Sequence, residues 1–233
     1  MSGIVIFGGT VEGRELAERL SAEGKDVIVS VTSEYARALL PEDIRCRVGA
    51  LDRDEMARFL REIGPDQVID CTHPYAVRAT ENIKACCGAM NIPRRRVERA
   101  ASDGEWTHYV EHAATTEKAA EALKRTSGNI LLTTGSHTLK AYTGAVEPAR
   151  VWARVLPTPE ALSLCAAAGV APAHIIAMQG PFSEALNAAL YDQLAIRVMV
   201  SKDSGPQGGV AEKVIPALAR DIHVILIDRP QEG

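Results

Sequence analysis

The residues best suited to chemistry lie in a few glycine-bearing stretches, and the first of these comes early in the chain. It reads Gly8-Gly9-Thr10-Val11-Glu12-Gly13 and directly follows the aliphatic run Ile4–Phe7. In the pattern Gly-x-Gly-x-x-Gly, Gly8 takes the first glycine, Gly13 the third, and Thr10 replaces the middle one. The amides that open the next helix can bind a pyrophosphate, and the Thr10 hydroxyl could donate to it. The alternative is a plain tight turn, but the amphipathic helix that follows favours a nucleotide.

The end of the second predicted strand indicates which nucleotide. A site specific for NAD places a carboxylate there for the ribose diol. This chain instead offers the hydroxyls of Thr32 and Ser33, with Arg37 one turn into the next helix. That set suits a 2′-phosphate and therefore NADP, although Glu34 could reach a ribose. Ser33 could equally cap the helix, and both roles could hold together.

A third stretch, Asp70–Ala76, follows the fourth predicted strand and contains Thr72, His73, Pro74 and Tyr75. In a doubly wound sheet this strand ends near the reactive end of the cofactor. We therefore assign Thr72 to the cofactor, and His73 and Tyr75 to contacts with substrate or nicotinamide. Pro74 suits the first turn of a helix. A structural turn without chemistry is the alternative.

Three polar loops in the second half also follow predicted strands, over residues 133–137, 178–183 and 201–209. Ligands bind at the carboxyl edge of such sheets, so the loops predict a substrate site rather than solvated turns. The third loop is the richest, because Lys202 adds a cation to hydroxyls and glycines. The assigned substrate-binding residues are Gly135, Ser136, Gln179, Gly180, Ser183, Lys202, Asp203, Ser204 and Gly205.

These stretches are positioned by aliphatic strands that alternate with amphipathic helices, which predicts an α/β fold with parallel sheets. Strands are expected over Ile4–Phe7, Asp26–Val31, Arg45–Val48, Gln67–Asp70, Asn129–Thr133, Val151–Val155, His174–Met178, Ile196–Val200 and His223–Ile227. Helices are expected over Val11–Ala22, Glu34–Leu40, Asp52–Ile63, Ala76–Met90, Thr116–Arg125, Pro159–Ala168, Ser183–Leu194 and Val210–Ala219. The arginine-rich stretch Arg94–Tyr109 breaks the alternation. We therefore expect an NADP-binding domain over 1–98, a substrate-binding domain over 99–233, and a ligand cleft between them.

Composition narrows the possible classes of protein. The 233 residues carry a formal net charge of −4, which argues against nucleic-acid binding. No apolar run approaches the ~18 residues that span a bilayer, so we expect a cytoplasmic protein. The five cysteines form no Cys-x-x-Cys pair, so neither a metal site nor a disulfide framework is expected.

Taken together, the motifs resemble the precorrin-6A reductase family of cobalamin biosynthesis, including its cobalt-precorrin-6A members. No single motif is specific, but the set is, and it runs in order along nearly the whole chain. The resemblance lies in Gly8–Gly13, Thr72–Ala76, Thr134–Ser136, Gln179–Ser183, Lys202–Gly205 and Val224–Pro230. The stretch Arg94–Trp106 departs most from the family, so no function is transferred to it.

The resemblance implies two Rossmann-like domains with NADPH and a tetrapyrrole in the cleft between them. We expect a monomer or weak homo-oligomer. It also implies that one double bond of the macrocycle is reduced, by a hydride from the nicotinamide and a proton, to the dihydro product 6B. Lys202, Ser204, Ser136 and the amides of Gly135 and Gly205 would bind the carboxylates of the substrate. Arg154 would steer the substrate. The Arg94–Arg99 cluster would either steer it as well or form solvated surface.

The proton donor has several candidates, namely Lys202, His73, Tyr75 and solvent. We rank Lys202 first, since an ammonium can pair with a carboxylate and also offset the charge of the arriving hydride.

Two other classes of protein compete with this interpretation. A short-chain reductase or epimerase needs a Tyr-x-x-x-Lys pair, and none of the five tyrosines has a lysine four residues on. A nucleotide-sensing module without catalysis would explain the first domain but not the polar loops of the second. Such a sensor would bind NADPH without oxidising it.

Overall fold

The computed structural model describes residues 3–97, 102 and 104–230. The chain divides into two compact units, Met1–Arg99 and Ala100–Gly233. The boundary that the sequence predicts, between residues 98 and 99, lies outside the described residues. The assignment of NADP to one domain and substrate to the other stays a prediction, as does the cleft between them.

The described strands of the first unit form one parallel sheet in the order β3-β2-β1-β4-β5. These strands are β1 (Gly3–Phe7), β2 (Asp26–Val31), β3 (Arg45–Val48), β4 (Gln67–Asp70) and β5 (Arg94–Arg96). The helices between them are α1 (Val11–Ala22), α2 (Glu34–Ala38), α3 (Arg53–Ile63) and α4 (Val77–Met90). This is the Rossmann-like arrangement that the sequence predicts.

Both faces of this sheet are buried, because side chains alternate between two aliphatic clusters. On β2, Val27, Val29 and Val31 pack into one cluster, whereas Ile28 packs into the other with Val68 of β4. Strands covered by helices on both faces read as continuous apolar runs, which is why β1, β2 and β4 are predicted to within a residue.

Local capping sets the helix starts. Asp52 caps α3 in a reciprocal capping box with Glu55. The prediction for Pro74 is wrong. Helix α4 begins at Val77 after Ala76, whose side chain makes no capping hydrogen bond, so Pro74 lies ahead of the first turn.

The stretch Arg94–Arg96 was expected to interrupt the fold and instead forms β5, which pairs in parallel with β4. Arg94 and Arg96 are half-buried and Arg95 is exposed, so the stretch has the period of two of a strand. A three-residue edge strand made only of arginine lacks the aliphatic signal from which strands are predicted.

The described strands of the second unit are also parallel, in the order β6-β11-β10-β7-β8-β9. They are β6 (Glu111–Ala113), β7 (Asn129–Leu132), β8 (Val151–Val155), β9 (Ile175–Ala177), β10 (Ile196–Lys202) and β11 (His223–Ile227). The helices are α5 (Thr116–Leu123), α6 (Leu139–Thr143), α7 (Pro159–Ala167), α8 (Glu184–Gln193) and α9 (Ala211–Leu218). Strand β6, helix α6 and a 3-10 turn over Glu105–Tyr109 were not predicted.

The core of the second unit is aliphatic, with a few aromatic side chains packed against it. Leu131, Met199 and Leu226 from three strands meet Tyr191 of α8 and Val214 of α9. Across the described residues, no helix is both long enough and apolar enough to span a membrane.

Candidate active site

Each sheet has one place where the strand order reverses, and ligands of such sheets bind beyond the carboxyl ends of the strands there. In the first unit the reversal falls between β1 and β4. The turn after β1 therefore lies beside the turn after β4, and two hydrogen bonds join them. The Cys71 amide donates to the Phe7 carbonyl at 2.9 Å, and the Thr10 hydroxyl donates to the Cys71 carbonyl at 2.9 Å.

The glycines of the first turn are required by close packing and by backbone geometry. A Cβ on Gly13 would lie 3.0 Å from the Cβ of Cys71, so only glycine lets α1 approach β4 this closely. Gly9 has a φ of +112°, and a Cβ there would meet no atom within 4 Å. The space beside Gly9 is thus an open cradle that a ligand can enter.

The Thr10 hydroxyl, predicted as a donor to the pyrophosphate, instead holds the start of α1. Thr10 is the N-cap of α1, its side-chain oxygen accepts from the Gly13 amide at 3.2 Å, and its hydroxyl proton is donated to Cys71. That hydroxyl is therefore not available as a donor to a cofactor. Glu12 follows as a half-buried acidic residue in the first turn of α1.

The residues after β2 have mixed roles. Ser33 caps α2, with its hydroxyl accepting from the Ala36 amide at 3.2 Å, while Thr32 is exposed. The Arg37 guanidinium donates to three backbone carbonyls just beyond α2, those of Leu40 (3.3 Å), Pro41 (3.1 Å) and Glu42 (3.2 Å). If Arg37 also bound a 2′-phosphate, its guanidinium would have to donate to the phosphate and to these carbonyls at the same time.

The turn after β4 rests on a buried charge network that the sequence analysis did not find. Asp70 is completely buried, and its Oδ1 accepts from the Thr72 amide at 3.1 Å and the Thr72 hydroxyl at 2.8 Å. Arg96 donates from Nη1 to that same Oδ1 and to the Thr72 hydroxyl oxygen, the latter at 2.8 Å. The network therefore fixes Thr72 at the start of the turn.

Arg94 completes this network and gives it an excess of positive charge. Its Nη1 lies 3.6 Å from the second carboxylate oxygen of Asp70, and neither atom makes a hydrogen bond within the described residues. The side chains of Arg94 and Arg96 are only 22% and 10% exposed, so their interpretation as solvated surface is wrong. The signal that could have revealed them is an acidic residue ending one strand beside a short run of alternating basic residues.

His73 and Tyr75 lie together beyond this network. Their rings are 5.5 Å apart between centroids and tilted by 35°. The Tyr75 amide donates to His73 Nδ1 at 3.4 Å, so in this arrangement the neutral imidazole carries its proton on Nε2. Any proton from His73 would leave through Nε2.

In the second unit the strand order reverses between β7 and β10. The loop after β7 carries Gly135 at a φ of +86°, and a Cβ there would meet nothing within 4 Å. Ser136 follows, half-buried, at the start of a 3-10 turn. In the described part of the chain, no protein group accepts the Gly135 amide proton, which is therefore available to a ligand.

The loop after β10 begins at Lys202, the last residue of the strand, where burial lowers the pKa of the ammonium. Asp203 holds the loop together. Its Oδ1 accepts from the Ser102 hydroxyl at 2.7 Å and the Gly205 amide at 3.2 Å, and its main-chain carbonyl accepts from Arg229 at 2.8 Å. The Gly205 amide, predicted to bind a carboxylate, is thus already donated to Asp203.

The loop Gln179–Ser183 follows β9, an edge strand two positions from β7. Ser183 caps α8, with its hydroxyl accepting from the Leu186 amide at 3.2 Å, so that oxygen serves the helix. Gly180 makes room for Phe182, because a Cβ would lie 3.1 Å from its ring. Gln179 is exposed at the start of the loop.

The fold and the two switch-point sites define the class of protein: an α/β protein of two Rossmann-like units, the first with a dinucleotide-type glycine turn. The family model described as precorrin-6x reductase CbiJ/CobK matches residues 3–233. The chain belongs to this family, which confirms the resemblance seen in its sequence.

Named relatives support the same family. The cobalt-precorrin-6A reductase of Priestia megaterium is 34% identical over 232 residues, covering 98% of this chain and 91% of the relative. That of Salmonella typhimurium is 33% identical, covering 97% and 87%. The precorrin-6A reductase of Rhodobacter capsulatus is 28% identical, covering 99% and 89%. A solved structure, CobK precorrin-6A reductase, is similar with a TM-score of 0.82 at 25% identity, covering 100% of this chain and 90% of that one.

Proposed function

We propose that the chain is a reductase that uses NADPH to reduce one double bond of a precorrin-6A macrocycle, with or without cobalt, to its dihydro form 6B in cobalamin biosynthesis. The observation that carries the proposal is the match of a reductase family across both units, over residues 3–233. The relatives named above are reductases of precorrin-6A or its cobalt form.

A nicotinamide cofactor suits the first unit. The open cradle beside Gly9 and the first amides of α1 suit a pyrophosphate, since a helix start attracts anions. The exposed Thr32 and the half-buried Ser33 would lie toward a 2′-phosphate, which favours NADPH over NADH. When bound, the nicotinamide supplies the hydride, and the protein has to orient it.

The second unit supplies groups for the macrocycle carboxylates. The Gly135 amide, the Ser136 hydroxyl and the Lys202 ammonium lie at neighbouring strand ends and can donate to carboxylate oxygens. Ser204 is buried in the same loop, and its backbone amide donates to the Lys202 carbonyl at 2.8 Å. The charge network of Asp70 fixes Thr72, and with it the turn that carries His73 and Tyr75.

Lys202 is our first candidate for the proton donor. Hydride addition to one carbon leaves negative charge that a proton on the neighbouring carbon must neutralise. Burial lowers the pKa of Lys202, which makes its ammonium a better acid at neutral pH. His73, through Nε2, and Tyr75 are the other protein candidates.

The proposal is tested by anaerobic absorbance at the NADPH band, with purified protein and either precorrin-6A or its cobalt form. We expect NADPH to be oxidised only when a macrocycle is present, together with a matching change in the macrocycle spectrum, and NADH to react more slowly. The faster macrocycle identifies the natural substrate. NADPH binding without oxidation by either macrocycle would contradict the proposal and favour a nucleotide sensor.

A further inference from the structure

Two cations lie buried in the second unit, one of them beside the Gln179–Ser183 loop. Arg154 on β8 is 6% exposed, and Lys213 in the first turn of α9 is 8% exposed. Arginine and lysine are almost never this buried unless an anion pairs with them. Within the described residues, however, neither forms an ion pair with a carboxylate.

Asn187 of α8 joins the two cations into one cluster. It is fully buried, and its Oδ1 accepts from Arg154 Nη1 at 2.7 Å. Its Nδ2 donates to the carbonyl of Glu212, the residue before Lys213, at 2.9 Å. Because Asn187 can neither lose nor gain charge, it fixes Arg154 without neutralising it.

The Arg154 guanidinium has one aromatic neighbour and one hydrogen-bond partner among the described residues. Its guanidinium carbon lies 4.2 Å from the centre of the Phe182 ring, so the ring covers one face of the cation. Its single hydrogen bond to a described residue is the one to Asn187, which leaves other N–H donors of the fork for an oxyanion. Phe182 belongs to the Gln179–Ser183 loop, in which the sequence analysis predicts substrate-binding residues.

The charge around Lys213 comes from few groups. Burial lowers the pKa of Lys213, Arg154 lowers it further, and Glu212 opposes them by raising it, which together bring the pKa to about 7. Tyr191 of α8 donates its hydroxyl to the Lys213 carbonyl at 2.9 Å, and burial raises its pKa, so it stays neutral. Strand β11 and the turn Glu105–Tyr109 face α9 with apolar side chains, and their ionisable residues, Glu105, His108, Tyr109 and His223, are exposed.

Glu212 balances the cluster only in part. One of its carboxylate oxygens, Oε2, is buried without a hydrogen bond in the described part of the chain. Two cations and one carboxylate leave a net charge of about +1 when Lys213 is protonated. A second anion would neutralise the cluster and offset the unfavourable free energy of burying two cations.

We infer that Arg154 and Lys213 form an oxyanion subsite that takes one carboxylate of the macrocycle. The inference rests on the proposed function and deepens it. The subsite lies beside two of the loops assigned to the substrate, since Phe182 covers Arg154 and Lys213 follows the loop after β10. A phosphate of the cofactor has the same chemistry, and the experiment separates the two sources.

The test replaces Lys213 by methionine and measures the dissociation constant of the macrocycle anaerobically, from its absorbance. We expect Lys213→Met to weaken macrocycle binding about tenfold or more, since a hydrogen bond to a charged group typically contributes ~1.5–3 kcal/mol. NADPH binding should be unchanged. Lys118→Met, which removes an exposed lysine from α5, is the matched control and should leave both constants unchanged.

The wild-type protein provides a second readout that needs no variant. A carboxylate prefers the protonated lysine, so macrocycle affinity should fall as pH rises above about 7, where Lys213 loses its proton. The same fall should be absent from Lys213→Met. A methionine at this buried position should also leave the protein as stable as the wild type or more so, because it removes an uncompensated charge.

The outcomes separate the two proposals. Turnover in the wild type with unchanged macrocycle affinity in Lys213→Met would overturn the subsite and leave the proposed function intact. Weaker NADPH binding with normal macrocycle binding would overturn the assignment to the macrocycle, because the oxyanion would then be a phosphate. A wild type that never oxidises NADPH with either macrocycle would overturn the proposed function and this inference with it.

Discussion

At the scale of single residues, the structure separates groups available to a ligand from groups used by the fold. The Gly135 amide and the space beside Gly9 are open, whereas the hydroxyls of Thr10 and Ser183 serve as helix caps. Residue type and position in a loop do not distinguish these cases. A serine before a helix has the same sequence signal whether its oxygen accepts from an amide or binds a substrate.

The role of Lys202 gives a prediction at this scale. In Lys202→Met we expect single-turnover hydride transfer to slow about 100-fold or more, the usual contribution of a positioned acid. The rate of hydride transfer is measured by stopped flow, from the loss of NADPH absorbance. The macrocycle is present at a saturating concentration, so that weaker binding does not affect the rate. Lys118→Met again serves as the control, and full-rate transfer in Lys202→Met would refute the catalytic role.

Burial of Lys213 makes the free energy of unfolding depend on pH. Its folded pKa, about 7, lies below that of an unfolded lysine, so above pH 7 the unfolded chain holds more protons than the folded one. The free energy of unfolding of the wild type should therefore rise with pH above about 7, relative to that of Lys213→Met. Urea unfolding at several pH values measures the difference, and parallel curves would show that the ammonium is solvated.

At the scale of elements, β4 and β5 are joined by charge as well as by backbone pairing. We expect Asp70→Asn to destabilise the protein by about 3 kcal/mol or more, because it leaves Arg94 and Arg96 buried without a counter-charge. The matched control is Asp26→Asn, which breaks the exposed pair with Arg45 and should cost at most about 1 kcal/mol. Urea unfolding compares them, and equal losses would contradict the account of this network.

The contact between α1 and β4 gives a second prediction about elements. Gly13→Ala should destabilise by about 1–3 kcal/mol through overpacking against Cys71, and weaken NADPH binding by shifting the glycine turn. Gly88→Ala in α4 is the control, because a Cβ there meets no atom within 4 Å. It should stabilise the helix by about 0.5–1 kcal/mol. A stable Gly13→Ala with normal NADPH affinity would show that α1 can move away without consequence.

Buried strands could be predicted from the sequence, whereas short edge strands could not. Buried aliphatic strands such as β1, β2 and β10 are predictable, since only a covered parallel strand gives so continuous an apolar run. Strands β5 and β6 are short edge strands with polar residues, and their existence depends on a neighbour that sequence periodicity does not reveal. The partners of Arg96 and Arg154 could not be predicted from the sequence either. Asp70 and Asn187 are distant from these arginines along the chain and contact them only in the folded protein.

At the scale of the whole molecule, the proposed function requires that hydride passes from NADPH to the macrocycle. The two units repeat one design, a parallel sheet with a reversal of strand order and a glycine-bearing loop at that point. One repeat has the features of a nucleotide site, and the other has donors suited to carboxylates. The proposed assignment of the cofactor to one unit and the macrocycle to the other predicts a reaction between two bound molecules rather than chemistry on one.

The most direct test of the proposed function follows the hydride itself. Purified protein is incubated anaerobically with a macrocycle and NADPH that carries deuterium at the transferred position of the nicotinamide, and the macrocycle is analysed by mass spectrometry. We predict that the reduced macrocycle gains one deuterium from the cofactor and one ordinary hydrogen from the solvent. Oxidised cofactor beside a macrocycle that contains no deuterium would contradict the account.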